Sequence, residues 1–295
     1  MLRHRIHALV FLLLFTVAAR AQSPQWRPVR GGILYGISGM ALVEQAQGRA
    51  TFLVVHDNKD AGQGRAALVR VAGAQQPEYV PLQWPQDKLP KDLEGLAAVP
   101  GQPATYMALA SAGRVYQIRL REAEQAVEVL KVFDLPNVPK DSNFESLALQ
   151  QLGAQTLIAW AHRGEGADAG VLYWGTLDLK TGAITHTHSA RVVVPWAGEH
   201  VRHVADLKVD AAGVAYAASA ADAGDNGPFS SAVYVAGAFR PAGDEIAFAP
   251  VPVLTRLWQF PYHKIEALEL VPGAAGGVVF GTDDENMGSW LYLDW

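Results

Sequence analysis

The chain has 295 residues, half of them hydrophobic and 18% charged, with a formal net charge of −5 and no cysteine. This composition excludes an intrinsically disordered chain and carries no basic footprint for nucleic acid. Without cysteine there are no disulfides, thiolate metal sites or cysteine nucleophile, so the fold must rest on its apolar core.

At the start, Arg3, His4, Arg5 and His7 precede an apolar run from Ala8 to Ala19, and Ala19-Arg20-Ala21 supplies a small-x-small cleavage site. That is the pattern of a secretory signal peptide, since roughly a dozen apolar residues are too few to span a bilayer, which takes about 20. Cleavage after Ala21 leaves residues 22–295 as one domain with 21 basic and 29 acidic residues, a formal charge of −8. No later segment is long and apolar enough to cross a membrane. A monomeric periplasmic or secreted bacterial protein is expected.

The remainder repeats. Apolar runs with an acid or a small residue near their start recur at Ile37-Ser38-Gly39-Met40, Leu93-Glu94-Gly95-Leu96, Phe144-Glu145-Ser146-Leu147, Val204-Ala205-Asp206-Leu207 and Ile265-Glu266-Ala267-Leu268. Their spacing of about 50–60 residues is that of a repeat architecture. Each is followed by a turn, a second apolar run, a polar loop and a third run. Four of the third runs carry an aliphatic-Tyr pair: Val115-Tyr116, Leu172-Tyr173, Val233-Tyr234 and Leu291-Tyr292. Fourth runs follow at 78–82, 127–135, 184–195 and 246–258. These segments are short, rich in β-branched and aromatic residues, and bounded by Gly, Pro, Asp or Asn, which predicts strands. The fold class is therefore all-β: a β-propeller of five four-stranded blades, with six as the alternative count. The fifth repeat lacks its fourth strand, and the segment 25–29 offers one, so an N-terminal strand is expected to close the ring and remove an exposed edge.

In an antiparallel blade the second-to-third and fourth-to-first loops emerge on the same face. Here those loops are long and charged, whereas the others are short and plain. On the charged face Glu94, Glu145, Asp206 and Glu266 begin innermost strands and are expected to converge on the axis as catalytic or metal-binding groups. Facing loops add Asp57, Asp283 and Asp284 as metal ligands and His56, His162 and Arg163 as substrate contacts, with Lys264, at the start of the last inner strand, as a fourth substrate contact. Clustered carboxylates raise one another's pKa unless a cation joins them, and an all-oxygen donor set suits Ca²⁺ or Mg²⁺. The competing structural use of such acids is to accept backbone N–H bonds from the adjacent blade and lock the ring. His200 and His203, beside Glu199 and Asp206, could ligate zinc but lack the HExxH order. His186 and His188 share one face of an outer strand, where solvent exposure accounts for them. There is no G-x-S-x-G elbow and no P-loop lysine.

The run Leu93-Glu94-Gly95-Leu96, its echoes at Phe144 and Ile265, and the ending Gly281-Thr282-Asp283-Asp284-Glu285-Asn286 resemble the phytase-like, esterase-like β-propeller family, exported and uncharacterised members included. The resemblance implies a calcium-assisted phosphate or carboxylic ester hydrolase with acids around the channel, and six blades where the count here is five. The alternative is a non-catalytic propeller that binds a glycan, peptide or envelope partner. A lactone or sugar-acid hydrolase is a third reading, for which Asn143 beside Glu145 is the specific hint.

Overall fold

A computed structural model describes residues 25–46, 48–196, 198–272 and 277–294. The expected signal peptide, residues 1–21, lies outside the described residues. Among the described residues, twenty strands form five four-stranded antiparallel sheets. Blade 1 comprises β2 (Gly39–Ala46), β3 (Arg49–Val55), β4 (Ala66–Ala72) and β5 (Glu78–Leu82). Blade 2 comprises β6 (Leu93–Ala98), β7 (Thr105–Ala110), β8 (Arg114–Arg121) and β9 (Ala126–Asp134). Blade 3 comprises β10 (Phe144–Leu152), β11 (Gln155–His162), β12 (Gly170–Leu177) and β13 (Ile184–Val192). Blade 4 comprises β14 (Val201–Val209), β15 (Val214–Ala221), β16 (Ser230–Ala242) and β17 (Glu245–Pro261). Blade 5 comprises β18 (Ile265–Val271), β19 (Gly277–Thr282), β20 (Ser289–Asp294) and, from the other end of the chain, β1 (Gln25–Arg30). The N-terminal strand thus closes the ring, with Trp26 opposite Tyr292.

The core lies between blades, and each of the five interfaces has its own apolar cluster. Leu53 and Leu68 meet Leu96 and Ile118 between blades 1 and 2; Leu109 meets Phe144 and Trp160 between blades 2 and 3. Leu172 meets Leu207 and Phe239 between blades 3 and 4; Val233 and Phe260 meet Leu268 and Phe280 between blades 4 and 5. Val279 and Leu291 meet Phe52 and Val69 across the closure. A blade is covered on both faces by its neighbours, so middle strands such as β3 and β7 are buried almost end to end and read as near-continuous apolar runs. Outer strands alternate instead, as in β9. Blade 4 departs from the regular plan: its outer hairpin runs on past Gly237 and folds against blade 3, where Trp174 Nε1 donates to the Ile246 carbonyl at 2.8 Å.

The inner strands β2, β6, β10, β14 and β18 each touch the next around the axis. Where they approach, little room is left. A Cβ on Gly95 would stand 2.7 Å from the Leu147 nitrogen, and one on Gly39 would stand 3.0 Å from the Leu96 nitrogen. The position after the acid is accordingly small in three blades: Gly95, Ser146 and Ala267.

Candidate functional site

Three glutamates reach the axis by the same device. Leu93 pairs with Ala110 and Gly95 with Leu109, so Glu94 is an extra residue in the ladder; Glu145 and Glu266 interrupt β10 and β18 in the same way. A β-bulge of this kind re-aims the side chain it frees. All three glutamates are buried, and their carboxylate oxygens come within 4.8 Å of one another.

Blade 4 solves the position differently. Its bulge spans three residues, His203 to Ala205, between Arg202 opposite Ala220 and Asp206 opposite Ala218. Arg202 therefore takes the place of the glutamate. Its guanidinium lies 2.5 Å from Glu266, 2.7 Å from Asp222 and 3.9 Å from Glu145. Burial would lower its pKa, but Glu145, Glu266 and Asp222 raise it and hold it charged. Asp206 falls in the small-residue position of the other blades. It accepts N–H bonds from Leu207 at 2.7 Å and from Leu268 of the next blade at 2.6 Å. The structure thus places Asp206 in a ring-locking role, away from the three glutamates it was expected to join.

The pocket at this mouth has a volume of about 390 Å³. Asp57, Asp60, Asp92, Glu94, Glu145, Glu266, Asp283 and Glu285 line it, with Lys59, Arg163, Arg202, Lys264 and Asn143. Two carboxylate triads overlap at Glu94: Glu94 with Glu145 and Glu266, and Glu94 with Asp57 and Asp92. They differ in what already neutralises them. Glu145 and Glu266 face Arg202, with Arg163 at 3.4 Å from Glu145 and Lys264 at 3.2 Å from Glu266. In the other triad the one ion pair among the described residues runs from Lys59 to Asp92 at 3.0 Å, and Ser111 Oγ donates to the second Asp92 oxygen at 2.5 Å. Asp92 sits at φ 60°, a left-handed conformation uncommon outside glycine. Among the described residues neither Asp57 nor Glu94 has a hydrogen-bond or ion-pair partner. Burial, then Glu145 and Glu266, pushes Glu94 well above the usual carboxylate range. Burial and Glu266 push Asp57 up to about 6.

Oxygens that share one Ca²⁺ at about 2.4 Å lie at most about 4.8 Å apart. Both triads meet that limit, and neither contains nitrogen or sulfur. The donor set of Asp57, Asp92 and Glu94 therefore fits a hard divalent cation, whereas Glu145 and Glu266 of the other triad already face the protein's own cations.

Lys264 is 1% exposed, and its ammonium contacts Glu285, Glu266, Asp222 at 3.4 Å and Asp283 at 3.4 Å. Burial opposes its charge, but Glu266 and Asp283 raise its pKa. It joins the loops of blades 4 and 5 and has little surface left for a substrate. Burial and Glu266 push Asp283 well above the ordinary range. Asp284 turns away from the pocket, accepting from the Lys264 amide at 2.7 Å and lying 2.6 Å from His263 Nδ1. His56 is buried, with one ring nitrogen 2.6 Å from the Gly36 carbonyl and the other 3.0 Å from the Tyr79 hydroxyl. His162 Nδ1 lies 3.0 Å from both the backbone nitrogen and oxygen of Asn143. Neither histidine lines the pocket; of the four expected substrate contacts, Arg163 is the one with exposed surface in it. His203 has both ring nitrogens on backbone groups of Val194 and Gly166, and no histidine belongs to either candidate metal group among the described residues. His186 and His188 both pair with Glu245 at the surface.

Sequence reasoning missed Arg202 as the blade-4 counterpart of the glutamates. The aliphatic-charged pair Val201-Arg202 was the available signal, and the three-residue bulge after it hid the alignment.

No protein-family model matches the chain, and no curated protein does. Among solved structures, the WD40 repeats of RRP9 superpose with a TM-score of 0.44 at 10% identity, covering 91% of this chain and 97% of that one. The α-L-arabinofuranosidase PaAbf62A from Podospora anserina, in complex with cellotriose, superposes with a TM-score of 0.50 at 10% identity, covering 92% and 97%. At that identity the likeness concerns the fold alone.

Proposed function

We propose that this propeller is an exported hydrolase of a phosphate or carboxylic ester, working at the acidic axial pocket with a divalent cation, Ca²⁺ in the first instance. The observation that carries this reading is Glu94: a carboxylate 7% exposed, without a hydrogen-bond partner among the described residues, at the junction of two carboxylate triads. An unpartnered buried charge is costly, and a bound cation is the simplest compensation. The resemblance of the Leu93–Leu96 run and the Thr282–Asn286 loop to phytase-like propellers supports the same chemistry.

Asp57, Asp92 and Glu94 would hold the cation, which supplies Lewis acidity toward the ester oxygen and a lowered pKa for the attacking water. Arg163 reaches the pocket from between Glu145 and Glu165 and would orient the anionic end of the substrate. Asp283, whose proton affinity is raised, would give a proton to the leaving oxygen. Glu145 and Glu266 keep Arg202 and Lys264 in place, so their part is to position those cations.

The test is turnover of p-nitrophenyl phosphate and p-nitrophenyl acetate with CaCl₂, MgCl₂ or EDTA. Cation-dependent hydrolysis is expected, reduced by about 100-fold or more in Glu94→Gln, the loss of a few kcal/mol of transition-state stabilisation. Absence of turnover with every cation would leave the non-catalytic binding propeller. That second reading has its own support, because Arg202 and Lys264 already neutralise much of the acid cluster and tie blades 3, 4 and 5 together.

A further inference from the structure

The axial channel has a second mouth on the face opposite the acidic pocket. There the downstream ends of the inner strands surround a cavity of about 680 Å³, lined by Ala97, Ala98, Ala148 and Leu270 among others, with Lys208, Glu269 and Asp210 as charged members, the last already accepting from the Ala212 and Val214 amides and the Tyr216 hydroxyl. Alanines on adjacent inner strands leave the space open. The volume falls in the range of small-molecule pockets, roughly 300–1,000 Å³ and mostly apolar with a few polar groups.

Lys208 gives the cavity its chemistry. The residue is 6% exposed, and its ammonium crosses the channel to donate to the Met40 carbonyl at 2.9 Å and the Leu96 carbonyl at 2.6 Å. An ammonium carries three protons. Among the described residues no third acceptor is within hydrogen-bond distance, because Glu269 Oε2 stands 3.9 Å away. A buried donor without an acceptor is costly, so an oxygen brought in by a ligand is favoured there.

Charge selects which oxygen. Lys208 already acts on two carboxylates, Asp206 and Glu269. Burial pushes Asp206 up to about 7 and raises Glu269 as well, so this end of the channel holds as much negative charge as one ammonium can serve. A carboxylate or phosphate would add a third anion. A carbonyl or hydroxyl would satisfy the spare proton without one.

We propose that the second mouth binds an uncharged small molecule with an apolar body and one carbonyl or hydroxyl oxygen. The oxygen accepts the remaining proton of Lys208, and the body lies against Ala97, Ala98, Ala148 and Leu270. This site is independent of the hydrolase reading and stands or falls separately from it.

The probe is N-phenyl-1-naphthylamine, an uncharged fluorophore that brightens out of water, titrated into the intact protein. Saturable binding is expected, with 2-octanone displacing it at least about tenfold more effectively than octanoate, a difference of about 1.4 kcal/mol. Ala98→Trp, at an exposed position on the rim, should weaken probe binding about tenfold or more with unchanged Tm. Lys208→Met should remove the advantage of 2-octanone over octane while the probe still binds. Absence of saturable binding in the wild type, or binding that Ala98→Trp leaves intact, overturns the site. Octanoate competing as well as 2-octanone overturns the assignment of an uncharged ligand, and that comparison needs no variant.

Discussion

At the scale of single residues the acidic mouth is governed by which charges have partners. Among the described residues Asp57 has none, and its folded pKa is about 6 against 3.8 for the free group. Between those values the folded state keeps a proton that the unfolded chain has lost. The contribution of Asp57 to stability is therefore lost as pH rises from about 4 through about 6, by up to about 3 kcal/mol at the usual 1.4 kcal/mol per unit. Asp57→Asn is accordingly expected to raise stability in EDTA at pH 7.5 by about 1–3 kcal/mol, with the gain vanishing below pH 4. Saturating CaCl₂ should reverse the order by stabilising the wild type alone. Urea midpoints under these three conditions check this; an Asp57→Asn protein that is less stable in EDTA at pH 7.5 would sink it. His56 works in the opposite sense. Burial lowers its pKa to about 4, so its contribution is complete above pH 6.5 and is lost as pH falls toward 4. The two slopes oppose each other in the wild type, and Asp57→Asn leaves the His56 loss on the acid side uncovered.

At the scale of the element, the motif apolar-Glu-small-Leu was legible because each position answers a local demand. The first apolar residue and the leucine fill the core between blades, the glutamate is the bulge residue, and the small residue faces the neighbouring inner strand. Gly95→Ala tests the last of these. The added methyl would meet the Leu147 nitrogen at 2.7 Å and its Cβ at 3.0 Å, atoms that cannot swing aside. A loss of about 1–3 kcal/mol in denaturant unfolding is expected, as for other overpacked cores. Ser146→Ala at the equivalent position should be neutral or stabilising by about 1 kcal/mol, since Ser146 Oγ is buried without a partner among the described residues. Equal effects at the two sites would contradict the packing account. The same register explains where sequence reasoning went astray. As the acid of its apolar run Asp206 looks like a member of the acid series, but it stands one place before Leu207, in the small position, and its carboxylate serves the Leu268 amide. Lys264, one of the few cations on the charged face, reads from sequence as a substrate grip; the fold buries it because Asp222, distant in sequence, joins the same cluster. Contacts of that kind depend on the ring being closed, and spacing along the chain does not show them.

At the scale of the whole molecule, ring closure was legible from arithmetic: a fifth blade one strand short and a spare strand at the other end. The structure adds a link between that closure and the acidic mouth. Trp26 of β1 stacks on His263 with ring centres 3.8 Å apart and packs edge-on to Phe260 at 5.4 Å. His263 in turn holds Asp284, the neighbour of the pocket residues Asp283 and Glu285. Removing the strand should therefore weaken both the fold and the site. A chain that begins at Gly31 loses the β20 partner from Gln25 to Arg30 and the Trp26 contacts, and it exposes the β20 edge to other copies. Loss of a packed tryptophan alone costs about 3 kcal/mol, roughly 10 °C in Tm for a chain of this size. The truncated protein should melt at least that much lower, elute partly as oligomers, and bind Ca²⁺ more weakly by calorimetry. A peptide of residues 23–30 supplied in excess should restore Tm and monomeric elution, because the ladder it rebuilds needs no covalent link to blade 1. A truncated chain that stays monomeric with an unchanged Tm would show that the other three strands of blade 5 suffice, and that the N-terminal strand is an ornament on a ring already closed by its blade interfaces.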